Sequence, residues 1–382
     1  MRFTYDLKQI SGCVGMAARG AASKAVLPIL THVMITAGVN GVRFSGCDLE
    51  MMISAGVPVA PEVSGACCVP GRVLQDILQA LPASGEVTFA TEAPYLVLTA
   101  GKAAYRLHML PAEEFPDFPK AAEAVTLTLA GADWLTLCRR AGYCSADPGE
   151  GKAILESMSL QAGGGRLAAA STDSHRLAVM SLPCEVPELS AILPARLVAE
   201  LLKLTDPKLP VALTIGQSSP AGGDPSPIPS PERRGETAPM LTARMGGVEV
   251  TARLIQGTFP DWQRVIPQEA PIRATCGRLA LLAALKRAGV MARLQSGKVI
   301  LQNELGALAI TTGNDAGSAR EEVENATACE WKAAFNVTYL LEALQVSEAD
   351  QVTIGQASAL LPALIGDGDA RWTSVVMPMA GE

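Results

Sequence analysis

At 382 residues, 49% hydrophobic and 18% charged, the chain is too long for one ordinary core and too apolar to stay unfolded, so two or three globular domains are expected. The net charge of −7 excludes a surface that is basic all over, but leaves room for a local basic strip in an acidic molecule. Nine cysteines with no CxxC pair and no Cys/His spacing suited to zinc exclude an obvious metal site and read as reduced, mostly buried thiols of a cytoplasmic protein.

The N-terminus, MRFTYDLKQISG, carries Asp6 and Lys8 where a secretion signal needs an apolar run. No run of ~18 apolar residues follows anywhere, so no membrane span is expected. The first helical segment opens at Leu7 (DLKQISGCVGMAAR), and a strand-like run then leads to Asp48. A second helix is read in VPGRVLQDILQALP from Val69, with Pro70 at its start. GEVTFATEAPYLVLTA alternates as antiparallel strands do. The order then repeats. A helical segment opens at Trp134 (DWLTLCRRAGYC), a strand-like run ends at Asp173, and a helix follows in LPARLVAELLKLTD, with Leu197, Leu201 and Leu204 on one face. The third pass runs through Leu279 (GRLALLAALKRAGV), Asn314 and FNVTYLLEALQVSE.

The offsets between matching positions are 124 and 142, 127 and 145, and 125 and 141. A consistent first offset and a consistently longer second one mark a threefold internal repeat, each copy holding two helices and several strands. The excess lies in residues 217–239, with six prolines in 23 residues, which read as a surface loop inserted in the second copy. The fold class is α+β, with domains at 1–123, 124–268 and 269–382.

STDSHRLAV, Ser171 to Val179, packs serine, aspartate, histidine and arginine together in a chain with three histidines. As a catalytic triad it is poor: members of a triad converge from distant parts of a fold, whereas neighbours in a strand diverge. No G-x-S-x-G is present, one His with one Asp is short of a metal's ligand count, and no P-loop or dinucleotide glycine pattern occurs. No catalytic residue, metal or cofactor is assigned.

The chain resembles the bacterial DNA polymerase III β-subunit family, the sliding clamps. The resemblance rests on LPIL at Leu27, GCDLEM at Gly46, VPGRVLQDILQALP at Val69 and LPAEEFPDFP at Leu110. It continues in STDSHRLAV at Ser171, LIQGTFPDWQRVIP at Leu254, FNVTYLLEAL at Phe335 and VVMPM at Val375. These occur in family order across nearly the whole chain. The resemblance implies three similar domains per chain and a head-to-tail homodimer. Six domains then close a ring around double-stranded DNA, helices inside and sheets outside. It implies a non-catalytic processivity factor that tethers DNA polymerase III through its α subunit. The other implied partners are the clamp loader and further polymerases and repair proteins bearing clamp-binding peptides.

The resemblance also implies sites. The partner-peptide pocket would be walled by Leu155, Thr172, His175, Arg176, Leu177, Pro260, Val265, Val375, Met377 and Met379. Scattered cations would attract phosphates without reading bases: Lys24, Arg72, Arg139, Arg140, Lys152, Arg196 and Lys203. Tyr105 would meet Val290 and Met291 at the dimer contact. Departures from the family are Ser174 in place of a usual glycine, Trp262 and Gln263 after FPD, residues Gly149 and Glu150, and a C-terminus ending MAGE. They leave open a divergent paralogue serving repair, a plasmid or inhibitor resistance; a hydrolase using Asp173 and His175 is the minor alternative.

Overall fold

A computed structural model describes residues 1–82, 84–119, 121–149, 151–218, 237–294, 296–304, 306–325 and 331–380. Most of the proline-rich 217–239 segment, together with Glu150 and Cys329, lies outside them. Six α-helices occur among the described residues: α1 (Leu7–Ala18), α2 (Gly71–Ala80), α3 (Gly131–Gly142), α4 (Ala195–Leu204), α5 (Arg278–Ala292) and α6 (Val337–Val346). Local chemistry starts several of them. The Asp6 carboxylate accepts from the Gln9 N–H at 2.9 Å at the head of α1, and Asn336 accepts from Thr338 at 2.9 Å at the head of α6. Helix α3 opens at Gly131, three residues before the expected Trp134, which is fully buried on its fourth position. Glycine is needed there, because a Cβ would stand 2.3 Å from the Asp206 carbonyl oxygen.

The chain forms two compact units, Met1–Trp134 with Ala199–Gln256, and Leu135–Val198 with Gly257–Glu382. The first holds a four-stranded antiparallel sheet in the order Arg2–Asp6, Glu86–Glu92, Tyr95–Ala100, Ala103–His108. Its eight-stranded sheet runs Gly65–Pro70, His32–Gly38, Gly41–Cys47, Met51–Val57, Val248–Arg253, Pro239–Met245, Pro210–Ser218, Ala121–Ala130. The second unit repeats the plan. Its eight-stranded sheet runs Leu189–Pro194, Ser157–Gly163, Arg166–Thr172, Arg176–Pro183, Trp372–Val376, Ala363–Gly366, Gln351–Gln356, Ile272–Gly277. Its four-stranded sheet runs Gly317–Glu324, Ala307–Asn314, Lys298–Glu304, Trp331–Asn336.

Each repeat thus contributes eight described strands and two helices, and the units cut across the repeats. The joining rule is the same twice. The fourth strand of one repeat pairs with the eighth of the next, Met51–Val57 with Val248–Arg253 and Arg176–Pro183 with Trp372–Val376. Met51 opposes Ala252 in the first join, and Arg176 opposes Val376 in the second.

In the first unit, α1 packs on the Gly41–Cys47 strand through glycine. A Cβ on Gly46 would fall 2.1 Å from the Ala17 carbonyl oxygen, a backbone atom that cannot step aside. Around this contact Ile10, Val14, Phe44 and Ile53 are fully buried. Gly46→Ala is therefore expected to destabilise the protein by about 2 kcal/mol, read as a lowered midpoint in urea unfolding, whereas Gly12→Ala on the exposed side of α1, where a Cβ meets nothing within 4 Å, leaves the midpoint unchanged or raises it.

Candidate docking site and DNA-facing residues

The STDSHRLAV segment is a turn between the Arg166–Thr172 and Arg176–Pro183 strands. One oxygen of Asp173 accepts from the His175 N–H at 2.8 Å and the Arg176 N–H at 2.9 Å; the other accepts from Arg176 Nε at 2.9 Å. The Thr172 hydroxyl donates to the Arg176 carbonyl at 2.6 Å. The turn recurs at the same place in each repeat. Asp48 accepts from Glu50 at 3.0 Å and Met51 at 2.8 Å, and Asn314 accepts from Ala316 at 2.8 Å. In the first two repeats its second residue is in the left-handed region, φ +77 at Leu49 and +80 at Ser174, the two non-glycine residues with positive φ among those described. That is the physical reason a glycine suits position 174.

This wiring removes the hydrolase reading. Both oxygens of Asp173 are occupied, and Ser171 is buried, donating to the Ala141 carbonyl and accepting from the Cys144 N–H at 3.1 Å. The His175 ring is exposed and lies parallel to Tyr339, centroids 6.5 Å apart.

Arg176 is not a free hand for a peptide either. Its guanidinium bonds Asp173 and Glu342 and sits 4.5 Å over the Tyr339 ring. It braces the turn against α6, and it does so at 10% side-chain exposure. Sequence reasoning missed Tyr339 and Glu342; their spacing of three puts them on one face of α6, but nothing in the sequence says what that face meets.

All ten expected pocket residues fall in the second unit. The C-terminal tail is bonded to the turn: the Met377 N–H donates to the His175 carbonyl at 2.8 Å, and Leu177 opposes Val375 across the sheet. Met379 N–H donates to the Ala334 carbonyl at 2.8 Å. Thr172, Leu177 and Val375 are cross-strand neighbours, hence on one face of the sheet. Leu177 and Val375 are only 2% and 1% exposed, while Val265 is 47% and Met377 37% exposed. Pro260 is exposed and Leu155 and Thr172 are half-buried. Phe259 and Trp262 are buried and pin the segment that carries Pro260 and Val265. By exposure the expected wall residues divide into buried Leu177 and Val375 and exposed Pro260, Val265 and Met377.

The cations divide too. Lys24, Arg72, Arg139 and Lys152 are exposed and form no ion pair among the described residues; Arg196 is exposed as well. Lys203 pairs at 3.0 Å with Glu200, which also takes Arg19. Arg140 does not face solvent at all, contrary to its expected role. It is 6% exposed, pairs with Asp367 and with Asp369 at 2.9 Å, and lies 4.5 Å over the Trp372 ring. A buried guanidinium already neutralised by two carboxylates has nothing left for phosphate. Of the dimer residues, Tyr105 is half-buried on the Ala103–His108 strand, Val290 is 66% exposed on α5, and the Met291 carbonyl accepts from Asn314 Nδ2 at 2.7 Å.

Of the described cysteines, Cys13, Cys47, Cys67, Cys68, Cys138, Cys144 and Cys276 are buried, and burial pushes the Cys47 and Cys67 thiols up to about 12.

Three family descriptions match in succession. They are the N-terminal, central and C-terminal domains of the DNA polymerase III beta subunit, over residues 1–119, 141–261 and 263–380. The chain belongs to the DNA polymerase III β-subunit family. Beta sliding clamps of Salmonella typhimurium and Escherichia coli are each 28% identical to it, over 99% of this chain and 100% of theirs. Crystal structures of the sliding clamp from Pseudomonas aeruginosa superpose over 100% of both chains, with TM-scores of 0.88 and 0.89 at 26% and 27% identity. The family's three-domain plan matches the threefold repeat of eight strands and two helices.

Two predictions follow from the wiring of this β-family turn and its neighbour. Ser174→Gly is expected to raise stability by about 1 kcal/mol by relieving the left-handed serine, whereas Ser174→Ala brings no gain; thermal unfolding of the two variants separates them. Arg140→Ala should cost roughly 3–5 kcal/mol, because it strands the buried Asp367 carboxylate, against less than about 1 kcal/mol for Arg139→Ala one residue earlier.

Proposed function

We propose that this clamp works as a head-to-tail dimer that encircles duplex DNA and tethers the replicative polymerase. It is a processivity factor, not an enzyme. It acts in the cytoplasm, loaded by a clamp loader, and raises the local concentration of polymerase at the primer end rather than performing chemistry. Copies bounded near 1–123, 124–268 and 269–382 supply the three domains of each half ring.

The observation that carries the assembly is the joining rule. Within the chain each fourth strand takes the eighth strand of the next repeat, twice. One fourth strand, Gly317–Glu324, and one eighth strand, Ala103–His108, remain at the ends of their four-stranded sheets. The opposite ends of those sheets are covered by their own chain: Arg2 exchanges backbone bonds with Val63, and Ala334 accepts from Met379. A second copy completes the rule in both directions, and such head-to-tail contacts close into rings. The register follows from the hairpins. Leu107, Ala252 and Val376 hold the same place in their repeats, opposite Leu96, Leu241 and Ala363. Gly317 then opposes Leu107 of the second copy, Ala319 opposes Tyr105, and Arg320 opposes Ala104. Met291, whose methyl carbon would lie 3.5 Å from a Cβ on Gly317, and exposed Val290 offer Tyr105 an apolar seat.

A chain carrying Ala104→Cys and Arg320→Cys should therefore form a covalent dimer, at both joints, under mild oxidation, seen on a non-reducing gel; a purely monomeric product at micromolar concentration would contradict the assembly.

DNA is felt through Lys24, Arg72, Arg139, Lys152, Arg196 and Lys203, without base readout. Arg72→Glu with Arg139→Glu should weaken DNA retention and lower its salt slope while leaving the dimer intact by light scattering. The rim formed by Pro260, Val265 and Met377, above Leu177 and Val375, receives an apolar peptide of the α subunit, the clamp loader or repair polymerases; polarizable methionine suits several such peptides. Val265→Asp is the clean test, since Leu177 is buried and a charge there would damage the fold. Its expected result is loss of peptide binding with unchanged thermal stability; undiminished binding removes the docking assignment.

A further inference from the structure

Beside the docking rim, on the same sheet face, lies a cavity of about 270 Å³. Val179 and Thr373, each two residues along its strand from the Leu177–Val375 pair, form its floor with Ala168 and Ser181, which oppose each other one step further on. Trp262 and Ile266 form one wall, from the segment that presents Val265. Its two charged lining residues are Arg166 and Arg371, and no aspartate or glutamate lines it. Arg371 is matched by Asp369 at 3.0 Å. Arg166 is exposed and makes no ion pair among the described residues. A chain with net charge −7 therefore keeps an unmatched cation at the edge of a cavity otherwise lined by neutral side chains and the paired Arg371, in line with the docking rim.

We infer that this cavity is a second subsite for the docked peptide, and that it takes an acidic side chain two residues from the apolar anchor, held by Arg166. The inference rests on the docking reading above. The spacing follows from geometry: Leu177 and Val179 are two residues apart on one strand, about 7 Å, and an extended peptide crossing that face advances by the same step. The charge follows from complementarity, since the cation at the mouth has no carboxylate of its own. Trp262 closes the cavity on one side and limits it to a short side chain rather than a further anchor.

The test uses the full-length protein and three fluorescent ten-residue peptides. Each has two adjacent leucines, with glutamate, glutamine or lysine two residues to either side. Fluorescence anisotropy is read with wild type, Arg166→Glu and Val265→Asp. Wild type should bind the glutamate peptide roughly threefold more tightly than the glutamine peptide, the range of an exposed ion pair. In Arg166→Glu that preference should vanish for glutamate and appear for lysine, with the glutamine peptide unchanged. Val265→Asp should abolish all three. Equal weakening of all three peptides by Arg166→Glu, or no change in any, would overturn the subsite while leaving the docking reading standing. Failure of wild type to bind any of them would sink both.

Discussion

Antiparallel pairing between a fourth strand and an eighth strand is the interaction on which the rest depends. It builds both eight-stranded sheets by joining successive repeats. It also explains why compact units and sequence repeats differ, since the strongest links run between copies as well as within them. Unpaired strand edges are a liability that proteins cover, and Gly317–Glu324 and Ala103–His108 are the fourth and eighth strands that have no such partner among the described residues. The same pairing sets the proposed docking face, because Leu177 meets Val375 where the second repeat is joined to the third.

The turn that leads into each fourth strand is the other recurrent device. A carboxylate or amide at its first position bonds the backbone ahead, and in the first two repeats the second residue is left-handed. At Leu49 the strain is offset by packing on the cluster of Ile29, Leu30, Phe115 and Phe118. At Ser174 the side chain is exposed, so nothing offsets it. The middle repeat therefore presents an open turn where the first presents a leucine packed inward.

Much of this was legible in the sequence. The six helices stand where amphipathic spacing put them, and Asp48, Asp173 and Asn314 mark one recurring turn. Trp134 misled the start of α3 because periodicity marks a buried face, not a helix end; the end was set by Gly131 against the Asp206 backbone. Arg140 looked like its neighbour Arg139, since the sequence gives both the same type and the same helix. Only the partners Asp367 and Asp369, over two hundred residues away, distinguish a buried brace from a surface cation. The partners that hold Arg176, Glu342 and Tyr339, likewise belong to another repeat and are not visible from its own segment. Strand pairing between repeats is equally silent in one dimension, since a solvent edge and a joined edge both alternate.

Encirclement is the central claim, and topology tests it most directly. The clamp is loaded onto a nicked plasmid by a clamp loader, freed of loader in high salt, and followed by gel filtration before and after the plasmid is linearised. A closed ring stays with the circle and leaves once the DNA has ends. Equal loss from circular and linear DNA would mean that the protein binds DNA without surrounding it, and the account would be wrong.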